Sequence, residues 1–242
     1  MSKKRVLAII PAFNEEKNVG KVISKVQRHP ELIDTILVVD DHSTDNTSHY
    51  AKEMGAVVVR HEENLGVGAG IRTGIDYGIK NKFDIAVILS GDNQHEPDEL
   101  PVVLGPVINS EFDVVQGSRY LKGGKTVNQT VFRKISTRFY TVLFFLFTFR
   151  RCSDVTNGFR AINIEKLSND QSINIYQNWL NRYELEVYLL YHFYTSREYL
   201  VKEVPITIYY HGKKTNWTKM VPFVDWWRIL RPIIFLRFGI KK

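Results

Sequence analysis

RVLAIIPAFNEE (5–16) decides the fold. Val6 to Ile10 is an unbroken apolar run of strand length that stops at Pro11 and gives way to Asn14, Glu15 and Glu16. A strand that is apolar at every position, rather than at alternate ones, is buried on both faces, as in a parallel sheet covered by helices. The pattern recurs in DTILVVDD (34–41), AVVVRHEEN (56–64), DIAVILSGD (84–92) and DVVQGSRY (113–120), with helix-length amphipathic segments between the runs. Strands alternating with helices predict an α/β fold with a mainly parallel central sheet and helices on both faces. Between the runs, a helix is expected from Glu15 to Arg28, closed by Pro30. Ser43 is read as the N-cap of a second helix through Met54, and Pro97 as a first-turn residue of another.

The segment from Gly66 to Lys80 is also expected to be helical, with Gly66, Gly70, Gly74 and Gly78 at every fourth position. Glycine costs about 1 kcal/mol relative to alanine inside a helix, so a stripe of glycines needs a reason. Two readings stand: a face without side chains that packs closely on the sheet, or a helix start lying near a bound nucleotide. GVGAGI (66–71) is not a dinucleotide fingerprint, because Ile71 occupies the place of its third glycine. Beyond Tyr120 the pattern changes. A loop at Lys122-Gly123-Gly124-Lys125 precedes an apolar helix over Val131 to Phe149, and a strand follows over Tyr199 to Tyr210. A basic loop, His211 to Met220, then leads to a Trp-rich helix from Phe223 to Phe238. Residues 1–210 are read as the main domain and 211–242 as a basic loop and amphipathic helix facing a membrane or a partner.

The 242 residues, 44% hydrophobic, suffice for one sizeable core. The single cysteine, Cys152, excludes an internal disulfide framework and points to a reducing, cytoplasmic setting. MSKKRVLAII runs into Pro11 and the acidic pair rather than a cleavage site, so it reads as a strand and not as a signal peptide. Phe139 to Phe149 is short, and Val221 to Ile240 is interrupted by charges and Pro232. Neither supplies the ~20 apolar residues of a membrane span. The net charge of +7 is unevenly spread. Residues 1–118 hold 12 Lys and Arg against 18 Asp and Glu, and the remainder holds 21 against 8. An acidic half followed by a basic one suggests metal and nucleoside handling first, then diphosphate or anionic-membrane contact. Nucleic-acid binding is disfavoured, since the basic residues avoid the first half and no recognised module is present.

Three runs end in carboxylates or amides: Asn14 and Glu15; Asp40, Asp41 and Asp45; Asp92, Asn93 and Gln94. Ligands of open parallel sheets bind beyond the carboxyl ends of the strands, where these groups would converge. The alternative is that they only cap helices. Asp92 with Gln94 suits a hard divalent cation that shares its oxygen ligands with substrate phosphates. Arg119 follows the fifth run, with Arg133 and Arg138 on the next helix, and the guanidinium fork matches phosphate oxygens.

PAFNEE (11–16), VVDDHSTDNT (38–47), NLGVGAG (64–70), GDNQHEP (91–97), GSRY (117–120), DVTNGFRA (154–161) and KEVPITI (202–208) together resemble the ordered motifs of family 2 glycosyltransferases, within them the dolichol-phosphate mannose or glucose synthases. The resemblance spans residues 5 to about 210. It implies a GT-A catalytic domain and an inverting transfer from a nucleotide-diphosphate sugar of the GDP-mannose or UDP-glucose type, with Mg²⁺ or Mn²⁺. By position, Pro11, Ala12, Phe13, Glu15, Asp40 and Asp41 would contact the donor nucleoside. Asp92 and Gln94 would hold the metal, and Arg119, Arg133, Arg138 and Lys219 would meet donor or lipid phosphates. One departure stands out: these synthases read Asp-x-Asp-x-Gln at the metal strand, and Ser90, a poorer cation ligand, replaces the first aspartate.

A lipid phosphate is already an anion and attacks without a base, whereas a sugar hydroxyl needs one, for which Asp154 is the candidate. The implied activity is glycosyl transfer to a polyprenyl phosphate by a cytoplasmic protein, peripheral at the cytosolic membrane face, with a small membrane-anchoring protein as a further candidate partner. A family 2 enzyme acting on a glycan hydroxyl, and a non-catalytic nucleotide-sugar or anionic-lipid binding module, are the competing expectations.

Overall fold

The computed structural model describes residues 3–210, 221 and 223–241. In chain order the elements are β1 (Val6–Ala12), α1 (Val19–Val26), β2 (Thr35–Asp40), α2 (Thr47–Glu53), β3 (Val57–Arg60), α3 (Val67–Lys80), β4 (Ile85–Ile88), α4 (Leu100–Ile108) and β5 (Val114–Ser118). They continue with β6 (Lys125–Val127), α5 (Val131–Thr148), β7 (Arg160–Asn163), α6 (Ile164–Asn169), α7 (Glu184–Thr195), β8 (Val201–Pro205), β9 (Thr207–Tyr209) and α8 (Val224–Arg237). Seven strands form the central sheet in the order β3-β2-β1-β4-β7-β5-β8. Only β7 runs antiparallel to its neighbours. This is the α/β architecture with a mainly parallel sheet that the apolar runs predict.

Alternation along β1 divides the core. Val6, Ala8 and Ile10 pack with α1 and α4, while Leu7 and Ile9 pack with α3, α6 and α7. Both faces are covered, which is why the run carries no polar residue. A third cluster joins α5, α7 and α8 through Tyr140, Phe144, Leu190, Ile229 and Ile233.

The glycine stripe is explained by packing on β1. A Cβ at Gly70 would lie 3.2 Å from Pro11 Cβ and one at Gly74 2.4 Å from Ile9 Cγ2, while one at Gly78 would lie 3.4 Å from Leu7 Cδ2 but 2.7 Å from Ile164 Cδ1. The helix therefore descends β1 one glycine per pair of residues, with Gly70 and Gly74 tight against the strand and Gly78 against the start of α6. Gly66, before the helix, has φ of 106°, which a side chain would strain. A Cβ at Gly68 would sit 2.2 Å from the carbonyl oxygen of Leu180, whereas Gly105 in α4 has nothing within 4 Å. Gly68→Ala is therefore expected to cost about 1–3 kcal/mol of stability through overpacking. Gly105→Ala is expected to add about 0.5–1 kcal/mol through helix propensity. Urea unfolding of the two variants checks the contrast, and equal effects would contradict it.

Some boundaries differ from expectation. The first helix starts at Val19, because Glu15 to Asn18 form a turn in which the Asn18 and Val19 N–H groups donate to Glu15 O. The second helix starts at Thr47, with Asn46 at the N-cap position but making no side-chain cap bond, and the Ser43 hydroxyl instead accepts from Asn14 N–H. The expected strand 199–210 is two strands: β8 pairs with β5, and after Ile206 the chain crosses to pair β9 with β6.

Candidate active site

The loops beyond β1 and β2 are welded into one floor. Asn14 N–H donates to Ser43 Oγ (2.9 Å) and Thr44 N–H to Asn14 Oδ1 (2.8 Å), while Glu15 N–H donates to Thr47 Oγ1 (2.7 Å). The loops after β1, β2 and β4 each hold a non-glycine residue in the left-handed region: Asn14 (φ 52°), His42 (φ 65°) and Asn93 (φ 59°). Such residues cost roughly 1–3 kcal/mol each and gather where a ligand is bound. Gly91 closes the β4 loop onto β1, since a Cβ there would lie 2.9 Å from Pro11 O and 3.2 Å from Ala12 Cβ. On the other side Asp41 N–H donates to Ala12 O (2.8 Å). The Asp41 and Asp92 loops thus flank the end of β1, with Pro11 and Ala12 packed between them. Phe13 and Glu15 follow at the same end, Phe13 half-buried and Glu15 buried.

Two aspartates expected at the nucleoside turn inward instead. Asp40, fully buried, accepts from Ser43 N–H (2.8 Å), Arg60 Nη1 (2.8 Å) and the Ser48 hydroxyl. Asp41 accepts from Gly66 N–H (2.7 Å) and Leu65 N–H (2.8 Å) and pairs with His61 Nδ1 (2.8 Å). Burial alone would raise the Asp41 pKa, but the His61 side chain and the two backbone N–H groups outweigh it and hold the carboxyl below its ordinary value. His61 Nε2 lies 2.9 Å from Thr73 Oγ1, so the carboxylate fixes the entry to α3 to the end of β2. These contacts tie both carboxylates into the floor of the site.

The β4 loop carries the expected metal residues. Asp92, half-buried, accepts from Ser90 Oγ (2.6 Å), Gln94 N–H (3.1 Å) and Gln94 Nε2 (2.5 Å). Ser90, which departs from the family pattern, thus orients Asp92. His95, which sequence reasoning did not single out, accepts Ser90 N–H at Nδ1 (3.0 Å) and stacks on Phe159 at 5.1 Å. Burial first, then Arg119 and Arg160, push its pKa down to about 4 against the pull of Asp92 and Asn157, so the ring is neutral. Its only sequence signal is its place in GDNQHEP.

Beyond β5, Arg119 grips Asp154: Nε to Oδ2 at 2.6 Å, Nη2 to Oδ1 at 2.8 Å and the backbone N–H to Oδ2 at 3.1 Å. Nη2 also reaches Thr156 Oγ1 (3.1 Å), and Nη1 donates to the Tyr210 hydroxyl. Burial disfavours the guanidinium charge, yet Asp154 more than offsets this and raises the Arg119 pKa. The guanidinium fork faces a protein carboxylate, and both Asp154 oxygens accept from it. Arg133 and Arg138 extend the cationic wall through aromatic rings, Arg133 at 4.7 Å over Tyr210 and Arg138 at 4.6 Å over Tyr120. Lys219 and the basic loop lie outside the described residues.

Comparison with known proteins agrees with this geometry. The model of the family described as "Glycosyl transferase family 2" matches residues 7–170. The UDP-N-acetylglucosamine--dolichyl-phosphate N-acetylglucosaminyltransferase of Methanococcus voltae is 32% identical over 180 residues, 67% of this chain and 71% of its own. The undecaprenyl-phosphate mannosyltransferase of Micrococcus luteus is 32% identical over 168 residues, covering 67% and 68%. Among solved structures, glucosyl-3-phosphoglycerate synthase from Mycobacterium tuberculosis with Mn²⁺ and UDP-glucose superposes with a TM-score of 0.69 at 21% identity, over 99% of this chain and 80% of that one. That likeness carries the fold alone. With a family match over most of its length, and strand-end loops assembled as the motifs require, the chain belongs to glycosyl transferase family 2.

Proposed function

We propose that this glycosyltransferase moves a hexose from a nucleotide-diphosphate sugar, of the GDP-mannose or UDP-glucose type, to a polyprenyl phosphate at the cytosolic face of a membrane. One observation carries the acceptor assignment. The cationic wall of Arg133 and Arg138 stands at the start of α5, whose outer face is an exposed apolar stripe: Phe132, Ile135, Phe139, Val142, Leu146 and Phe149, spaced three and four residues apart. A phosphate joined to a long hydrocarbon has that composition, with the head against the arginines and the chain along the stripe. The names of the two relatives point to the same acceptor class.

An acceptor phosphate oxygen attacks the anomeric carbon, and the nucleoside diphosphate leaves with the bonding electrons. No base is required, which fits a site where Arg119 occupies Asp154. Asp92 and Gln94 are oxygen donors two residues apart. Among the described residues no cluster of three metal-binding side chains occurs, so the pair suits Mg²⁺ or Mn²⁺ whose remaining ligands are phosphate oxygens. When bound, the ion supplies charge neutralisation for the leaving diphosphate. Arg119 and Asp154 act by positioning Tyr210 and, through it, Arg133. The test is a panel of GDP- and UDP-sugars with a short polyprenyl phosphate, read by mass spectrometry. A lipid-linked monosaccharide phosphate is the expected product, and nucleotide-sugar turnover onto soluble glycan alone would contradict the proposal.

No helix among the described residues is long and apolar enough to cross a membrane. The α5 stripe, with exposed Trp227 and Phe238 on and beside α8, is instead suited to lie on the bilayer, flanked by Lys134, Arg138, Arg150 and Arg151. Residues 211–242 would serve this docking, alone or with a small membrane-anchoring protein. Phe139→Ser with Leu146→Ser is expected to weaken co-sedimentation with anionic vesicles by about tenfold or more, from lost apolar burial. Thermal stability should not change, because both side chains are exposed. Undiminished sedimentation would remove α5 from the docking surface.

A further inference from the structure

Glu186, on α7, reaches the active-site cleft with no hydrogen-bond donor to its carboxylate among the described residues. Its Oε1 lies against the loop between Asp154 and Arg160, where a Cβ at Gly158 would come within 2.5 Å of it and 3.9 Å of His95 Cε1. The nearest cation is Arg160 Nη2 at 3.9 Å, too far for a hydrogen bond. Arg160, almost fully buried, donates instead to the backbone oxygens of Glu186 (3.0 Å) and Asn157 (2.8 Å). The Glu186 side chain keeps 21% of its surface exposed. Burial raises its pKa, and Arg160 offsets this only in part.

A half-buried carboxylate without donors has lost hydration and gained nothing for it, unless a ligand supplies O–H or N–H groups. Three parts of a nucleotide sugar could approach it. The diphosphate is repelled by like charge, and the nucleoside is expected at the β1 and β2 loops. The hexose remains, and its neighbouring hydroxyls are donors spaced to meet two carboxylate oxygens. Resting on the glycosyl-transfer reading above, we propose that Glu186 accepts hydrogen bonds from hydroxyl groups of the donor hexose and so determines which sugar is taken. Arg160 is then a positioning residue, drawing the carboxylate toward its charged form without competing for its lone pairs. Gly158 leaves room for it, since any side chain there would displace Oε1.

The test compares binding of nucleoside diphosphates with that of their sugar conjugates: UDP against UDP-glucose and UDP-N-acetylglucosamine, and GDP against GDP-mannose, by calorimetry with Mn²⁺ present. In Glu186→Gln, affinity for the nucleoside diphosphate should stay within about twofold, while affinity for the preferred sugar conjugate falls by about tenfold or more, as expected for loss of a charged acceptor. Glu186→Asp, which withdraws the carboxylate by one methylene, should show the same selective loss. Equal sugar-conjugate affinity in wild type and both variants would overturn the proposal and leave the transferase reading standing. That result combined with lost turnover on hydroxyl acceptors would make Glu186 a base instead. Equal loss of both ligands would assign it a structural role and also overturn the proposal. Failure of the wild type to bind any nucleotide sugar would sink the functional reading itself, and this inference with it.

Discussion

Asp92→Ala is expected to cut sugar transfer by about 10²–10³-fold, the scale of removing one group that stabilises developing charge. Its stability should change by no more than about 1–2 kcal/mol, because water can replace a half-exposed carboxylate at its hydrogen-bond partners. Both halves follow from where Asp92 stands. It is half-buried on a loop, its partners are a serine hydroxyl and a glutamine amide, and water can replace it for both. In the proposed function it is the carboxylate that would meet the cation, two residues before Gln94. Steady-state transfer and thermal unfolding, measured on the same preparation, check the two halves together. Near-normal turnover would refute the assigned role, and a large drop in melting temperature would show that Asp92 supports the fold.

Asp154→Ala should do the opposite, destabilising first and inactivating as a consequence. Removing the carboxylate leaves the Arg119 guanidinium buried without its counter-ion, which costs about 3–5 kcal/mol. At about 2–4 °C per kcal/mol for a chain of this size, the melting temperature falls by roughly 10 °C. The double replacement Arg119→Met with Asp154→Leu removes both charges, and much of the stability should return. Activity should not return, because Tyr210 and the arginine stacked on it lose their anchor. An Asp154→Ala protein that melts like wild type would contradict a buried, bidentate pair.

The sheet was legible because its signal is local. Four of the five unbroken apolar runs became doubly covered strands, whereas β3 lies at the sheet edge with Val57 exposed, and the glycines of α3 could be read as a packing face before β1 was known to lie beneath it. Strand β7 was not legible. Arg-Ala-Ile-Asn is short and begins with a charge, and it joins the sheet because β4 and β5 leave an antiparallel slot between them. The division of β8 from β9 was hidden for a similar reason: the turn away after Pro205 depends on β6, a three-residue strand inside what reads as a glycine loop.

At the site, the sequence located the strand ends but not the direction of the side chains. Whether Asp41 faces a ligand or a backbone is decided by Leu65 and Gly66, more than twenty residues away. The Arg119–Asp154 pair likewise joins positions 35 residues apart, so two residues expected to act separately on substrates hold each other. His95 and Glu186 were missed because nothing in their local spacing marks them, and they come together only around Gly158.

The central claim is that the acceptor is a phosphate at the end of a lipid. The most direct measurement supplies a radiolabelled nucleotide sugar with Mn²⁺ and, in parallel, a polyprenyl phosphate, the same polyprenol without phosphate, and a soluble oligosaccharide, then partitions each reaction between organic and aqueous phases. Label entering the organic phase only with the phosphorylated lipid, and ceasing when EDTA removes the metal, is the predicted result. Label passing to the oligosaccharide, or equally to the unphosphorylated polyprenol, would contradict it.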